Sequence, residues 1–277
     1  MIFDKFQLIE SLIDIALDED LKDGDPSSEI ILKNIKSEYN LLLKEDAVIS
    51  GVEVFKYIFK KIDMNLSFSN FIEDSFQEKG LIGKIIGDEV SILSAERTAL
   101  NFIQRMSSVA TSTFNLKNLM NNPNVELIDT RKTIPGWRVL DKYSVLVGGG
   151  KNHRMNLGEQ IMIKDNHYDE NNIKNIIKNG KKKFPNLKME IEVDNLSQLK
   201  SIINEDIDIV MLDNWPIDSV EETIGFVRKN NPKLLIEISG GINQQNIASY
   251  AQFSPDFISS GSITHSPKSI DLSLEKA

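Results

Sequence analysis

Polar and charged residues gather at the ends of apolar runs in the second half of this chain. The runs finish in Asp129-Thr-Arg-Lys132, Lys164-Asp-Asn-His167, Glu192-Val-Asp194, Asp213-Asn214, Ser239-Gly-Gly241 and Ser260-Gly261. Some polarity is ordinary where a strand meets a loop, and that accounts for one or two of these ends. Arginine, lysine, glutamate and aspartate recurring at end after end fit a shared mouth better, and such a mouth is where β/α barrels build their active sites.

The chemistry on offer is the capture of a small polyanion. Between Asp129 and His167 lie seven lysines and arginines (Arg131, Lys132, Arg138, Lys142, Lys151, Arg154, Lys164) against four carboxylates (Asp129, Asp141, Glu159, Asp165), a local +3 inside a chain of net charge -9. A basic cleft on an acidic protein focuses field lines on an anion. A solvated helix face is the usual explanation of a charge run, but Gly136, Gly148, Gly149 and Gly150 make this poor helix sequence. Ser239-Gly-Gly-Ile-Asn243 before a helical pattern, and Gly261-Ser262 after the last apolar run, supply backbone N–H groups free to approach a phosphate. His153, His167 and His265 all fall in mouth segments. Taken singly each is more often structural than catalytic, and their spacing matches no zinc site.

Such ends need a scaffold that brings them together. Strand candidates at Val125–Asp129, Gln160–Lys164, Lys188–Val193, Asp208–Leu212, Leu234–Ile238 and Pro255–Ile258 alternate with helical patterns such as Leu196–Ile203, Ser219–Val227 and Asn243–Tyr250. Alternation of this kind predicts a parallel sheet, closed or nearly closed into an α/β barrel. Upstream, Phe6, Ile9, Ile13 and Leu17 predict an amphipathic helix, and Lys22-Asp-Gly-Asp-Pro26 a turn. Tyr39–Leu43, Ala47–Ser50 and Val90–Leu93 read as strands. A long helix capped by Ser94 runs to Asn121 and links two regions.

Composition narrows the classes. The net charge of -9 argues against a nucleic-acid or membrane-surface partner. With no cysteine there is no disulfide, thiol nucleophile or thiolate metal site. Acidic residues interrupt the first apolar stretch, as a targeting signal does not allow, and no uncharged run is long enough to span a bilayer. A cytoplasmic protein is expected.

Glu96-Arg-Thr-Ala-Leu-Asn-Phe102, Asp129-Thr-Arg-Lys-Thr-Ile-Pro-Gly136, Gly148-Gly-Gly-Lys-Asn-His-Arg154, Ile163-Lys-Asp-Asn-His167, Glu190-Ile-Glu-Val-Asp194, Leu212-Asp-Asn214, Ser239-Gly-Gly241 and Thr264-His-Ser266 resemble, in this order, the characteristic segments of the quinolinate phosphoribosyltransferase family. The resemblance spans essentially the whole chain. It implies an N-terminal α/β sandwich domain over 1–113, joined by the tail 266–277, and an incomplete, seven-stranded α/β barrel over 114–265. The implied reaction moves phosphoribosyl from phosphoribosyl pyrophosphate to quinolinate with loss of CO2, giving nicotinate mononucleotide. By the same resemblance Thr130, Arg131, His153, Arg154 and Lys164 hold quinolinate, and Arg97 reaches that pocket from the other subunit of a homodimer. Lys132, Glu192 and Asp213 are the catalytic set, the last two near a magnesium ion shared with phosphoribosyl pyrophosphate; no organic cofactor is implied. Ser239, Gly240, Gly241, Gly261, Ser262 and His265 hold the 5′-phosphate.

Three places depart from the family pattern, at Pro26, Ser108 and Ser262, and none removes a charged site residue. Competing readings are a molybdenum-transport-associated homologue, which shares the Thr-Arg-Lys and His-Arg patterns, a barrel lyase with a Schiff base on Lys164, and a non-catalytic dicarboxylate binder. Intact Ile163-Lys-Asp-Asn-His167 favours quinolinate over the first. The lyase needs a desolvated Lys164. Retention of Glu192, Asp213 and two phosphate turns speaks against a mere binder.

Overall fold

The computed structural model describes residues 6–31, 35–164, 168 and 172–277. The chain forms two compact units, one of Met1–Phe114, Ile134–Gly149 and Pro267–Ala277, the other of Asn115–Thr133 and Gly150–Ser266.

The first unit is built on an antiparallel sheet. Its strands are β1 (Lys36–Leu43), β3 (Ser67–Ser69), β5 (Gly80–Asp88) and β12 (Leu272–Lys276), in the order β12-β1-β5-β3. A short pair, β2 (Ala47–Val48) with β4 (Phe76–Gln77), lies apart. Alternation along β1 buries Tyr39, Leu41 and Leu43, and β12 answers in register with Leu41 opposite Leu274 and Leu43 opposite Leu272. Helix α1 (Phe6–Leu21) adds Ile9, Ile13 and Leu17 at every fourth position, which puts them on one face. Helix α2 is Pro26–Ile31, and α3 (Val52–Ile62) buries Phe55, Ile58 and Phe59 in the same core.

Helix α4 (Glu89–Met120) leads from the first unit into the second. It begins earlier than expected. Val90–Leu93 is its first turn, not a strand, and Asp88 rather than Ser94 caps it by accepting the Ser91 N–H at 2.9 Å. The apolar run that suggested a strand is the start of a helical stripe continuing through Ile92, Ala95, Ala99 and Ile103. Strand β5, read in the sequence only as turns and apolar fragments, carries Gly80, Gly83 and Gly87. An added Cβ at Gly83 would lie 2.4 Å from the Phe71 ring, so that glycine admits an aromatic side chain against the backbone.

Helix α5 (Arg138–Val147) also differs from expectation. Gly136 and Gly148 flank it instead of breaking it. Its Leu140 packs in the first unit's core, Trp137 lies tilted against Phe102 with ring centroids 4.6 Å apart, and buried Asp141 accepts Arg105 Nη2 on both oxygens at 3.1 Å and Nε at 3.2 Å. Residues 134–149, assigned to the barrel from sequence, therefore group with the first unit.

The second unit holds six parallel strands: β6 (Glu126–Ile128), β7 (Ile161–Ile163), β8 (Met189–Val193), β9 (Ile209–Asp213), β10 (Leu235–Ser239) and β11 (Phe257–Ser259), in the order β6-β11-β10-β9-β8-β7. A seventh position is a single bridge from Lys151 to Ile128. Helices α6 (Ile173–Lys183), α7 (Leu196–Ile202), α8 (Ile217–Asn230), α9 (Ile247–Ala251) and α10 (Ser262–His265) intervene in the chain. Stripes such as Val220, Ile224 and Val227 bury one helix face, and the central strands keep one face apolar while β8 and β10 carry glutamates on the other.

Candidate active site

Parallel register brings the strand ends level. Ser239 pairs with Asp213, Leu212 with Val193, and Ile191 with Ile163. Side chains alternate across a strand, so Glu190 and Glu192 share one face of β8, Met211 and Asp213 one face of β9, and Glu237 and Ser239 one face of β10. Except for Glu190, these line a cavity of about 460 Å³ together with Thr130, Arg131, Lys132, His153, Arg154 and Lys164.

The cationic wall is fixed from behind. Asp129, fully buried, accepts the His153 N–H at 2.9 Å and so ties the segment after Lys151 to the end of β6. Arg154 donates to the Gln160 carbonyl at 3.1 Å. Burial, and then the charge of Arg131 beside it, push Arg154 below the ordinary guanidinium range, with Glu190 opposing. Two guanidiniums held near each other in a partly dry cleft favour an anion between them. Lys164 is exposed, with its Nζ 2.7 Å from Glu192 Oε2. That is a hydrated ion pair, not the desolvated amine a Schiff-base lyase requires.

The glycine turns border a second hollow of about 300 Å³, lined by Ser239, Gly240, Gly241, Gly261, Ser262 and His265 with Thr130 and Lys132. Gly240 has φ 95°, and a Cβ there would lie 2.3 Å from Asn214 Oδ1, so the turn admits no side chain. Thr264 Oγ1 donates to the Lys132 carbonyl at 2.8 Å, and Ser260 Oγ to the Ile242 carbonyl at 2.8 Å. These bonds hold the 130–132 and 260–264 segments at the edge of the hollow.

Every expected second-unit site residue thus lines one cavity or the other. Arg97 lies on α4 in the first unit and is exposed. The local charge excess is less concentrated than the sequence suggested. Arg138 and Lys142 belong to α5, Lys142 being fully buried, and Lys151 pairs with Glu126 at 2.9 Å. Asp165 and His167 lie outside the described residues.

The sequence reading gave no role to Glu190 or Glu237, which stand fully buried beside His153. Each lies on the same face as a residue that was singled out and two positions before it, Glu190 before Glu192 and Glu237 before Ser239, but nothing local says that these two strands converge on His153. Among the described residues, His153, Glu190 and Glu237 form the one group of three close enough to share a metal ion, their ligand atoms lying within 4.8 Å of one another. No described helix is long and apolar enough to cross a membrane.

Comparison with known proteins points one way. Residues 25–107 match the model for the quinolinate phosphoribosyl transferase N-terminal domain and residues 109–275 that for its C-terminal domain. A probable carboxylating nicotinate-nucleotide pyrophosphorylase of Methanocaldococcus jannaschii is 37% identical, over 94% of each chain. One from Bacillus subtilis is 33% identical over 93% of this chain and 89% of its own. The solved nicotinate-nucleotide pyrophosphorylase of Francisella tularensis superposes with a TM-score of 0.93 at 35% identity, covering 98% of this chain and 96% of that one.

Proposed function

The chain belongs to the quinolinate phosphoribosyltransferase family, and from that premise we propose how its residues divide the reaction. The enzyme transfers phosphoribosyl from phosphoribosyl pyrophosphate to the ring nitrogen of quinolinate. The adduct loses CO2 to give nicotinate mononucleotide, and pyrophosphate is released. The carrying observation is one cavity lined by both Arg131 and Arg154 and by the carboxylates Glu192 and Asp213 from the ends of β8 and β9.

Arg131 and Arg154 grip the two carboxylates of quinolinate, since planar forks match carboxylate geometry. Thr130, His153 and Lys164 complete that end. As the pyrophosphate leaves, positive charge grows on the ribose carbon, and Glu192 and Asp213 stabilise it electrostatically. Lys132, which borders both hollows, meets the departing pyrophosphate. Ser239, Gly240, Gly241, Gly261, Ser262 and His265 hold the 5′-phosphate. Once the ring nitrogen carries ribose it is a pyridinium, which accepts the electron pair left by CO2, so decarboxylation needs no organic cofactor.

Glu192 and Asp213 offer only oxygen, which suits magnesium. Among the described residues they belong to no three-ligand cluster, so the ion would complete its shell with substrate oxygens and water. Bound there, it would neutralise charge on the pyrophosphate.

We further propose a cytoplasmic homodimer in which Arg97 completes the neighbouring subunit's site. Of the carboxylates around the start of α4, Glu89 is engaged by Lys276 at 2.7 Å and Tyr39 at 2.8 Å and Asp88 by Ser91, while Glu96, next to Arg97 in the chain, feels its charge. Incubation with quinolinate, phosphoribosyl pyrophosphate and magnesium should yield nicotinate mononucleotide and CO2. Absence of that product from folded protein would overturn the assignment.

A further inference from the structure

Two fully buried glutamates behind an anion pocket look out of place. Glu190 and Glu237 come from β8 and β10, below the mouth, where bulk water does not reach them. Unpaired ionised carboxylates in such a place are costly and would repel an arriving dicarboxylate. Their partners explain their presence. Glu190 Oε2 accepts from Gln160 Nε2 at 2.6 Å, and His153 Nε2 lies 3.0 Å from the same oxygen. His153 Nδ1 accepts the Arg154 N–H at 2.6 Å, so the ring proton belongs on Nε2, facing the glutamates. The backbone carbonyl of Gln160 in turn receives the Arg154 guanidinium at 3.1 Å. The Nε2 approach is a close ion-pair contact rather than an aligned hydrogen bond, and the same oxygen reaches the guanidinium through one intermediate residue. Glu237 stands 3.6 Å from His153 Nε2 on the other side. Burial, and then the proximity of Glu190, raise its pKa well above the ordinary carboxylate value.

Resting on the phosphoribosyl-transfer reading above, we propose that Glu190 is the positioning residue of the quinolinate subsite: from beneath the pocket it fixes the orientation of His153 and, through Gln160, of Arg154, with Glu237 as the second wall against the imidazole. Neither glutamate takes part in the chemistry. Their effect is on how tightly the dicarboxylate is held, because a fork displaced from its working geometry loses paired hydrogen bonds. Phosphoribosyl pyrophosphate, held at the glycine turns and Lys132, should not sense the change.

The test separates the two substrates in the full chain. Glu190→Leu keeps the volume and removes the acceptor. It should raise the Kd and KM for quinolinate about tenfold or more, the scale of a lost hydrogen bond to a charged group, while the Kd for phosphoribosyl pyrophosphate stays within about twofold. Glu190→Gln, which retains an acceptor oxygen, should recover most of the loss. A general loss of structure would weaken both substrates alike, and that outcome overturns the proposal. Should Glu190→Leu not fold, Gln160→Met decides: from its half-buried place just before β7 it cuts the link between Glu190 and Arg154. Weaker quinolinate binding supports the proposal, and unchanged binding overturns it. Wild-type protein that binds and turns over no quinolinate would overturn the functional reading, and this inference with it. Wild-type turnover with an unaffected Glu190→Leu would overturn the inference alone.

Discussion

Arg131 and Lys132 are adjacent in sequence yet face different neighbours. Both border the larger cavity, but only Lys132 also borders the hollow beside the glycine turns. Arg131→Ala should therefore chiefly weaken quinolinate binding, and Lys132→Ala chiefly the use of phosphoribosyl pyrophosphate. Arg131→Lys should fail nearly as badly as alanine, since one ammonium cannot reproduce a fork; calorimetry with quinolinate alone checks both claims. The same pairing of cations with carboxylates sets the choice of acceptor. Nicotinate brings one carboxylate and leaves a partly buried cation unanswered, a penalty of about 3–5 kcal/mol, so it should be used more than a hundredfold less efficiently. Comparable kcat/KM for nicotinate and quinolinate would contradict this. Most of these side chains were legible because each stands at the end of an apolar run. Glu190 and Glu237 were not, because their place in the interior depends on which strands become neighbours, and local sequence does not state that.

At the scale of elements, the turn after β10 makes the sharpest demand. Gly240 combines a left-handed backbone with an approach to Asn214 that leaves no room for a Cβ. Gly240→Ala costs about 1 kcal/mol in conformation before any clash is counted. It should lower the melting temperature and weaken phosphoribosyl pyrophosphate binding, with quinolinate affinity less affected; an alanine variant that binds phosphoribosyl pyrophosphate normally would remove the turn from the site. The parallel strands were readable as apolar runs at regular intervals. β5 and α5 were not, for a common reason: glycine was read as a breaker. In β5 it makes room for Phe71, and around α5 it stands just outside the helix. The early start of α4 escaped because one full turn of a buried helix and a short buried strand have the same apolar content.

For the whole molecule, Glu89 at the start of α4 links several parts of the first unit. It takes Lys276 of β12, Tyr39 and Ser37 of β1, and these bonds, the lysine's first, hold its pKa below the ordinary value. A depressed carboxylate stabilises the fold above its ordinary range, and the contribution disappears as pH falls through the depressed value. Melting temperature should therefore fall on acidification, and Glu89→Gln should flatten that limb while lowering stability at neutral pH. Tyr39, pushed up to about 12 by burial and then by Glu89, remains neutral throughout that window. Assembly has its own test. Arg97→Ala and Lys132→Ala should each be inactive, yet co-refolded mixtures should regain part of the activity, because a hybrid dimer has one site with both lesions and one with neither. No recovery from demonstrated hybrids would return Arg97 to its own subunit.

β1 leaves the ribosome early and β12 late: Lys44 and its partner Glu275 stand 231 residues apart. While the second unit is being synthesised, the first sheet must wait with one side of β1 unpaired. An open edge of that kind is a template for a strand from another nascent chain, and long-range pairings are the slowest to form. The hazard to this protein in a crowded cell lies in that interval of vectorial synthesis. Its yield should respond to translation speed and to chaperones that shield the waiting edge, more than to any gain in the stability of the finished fold.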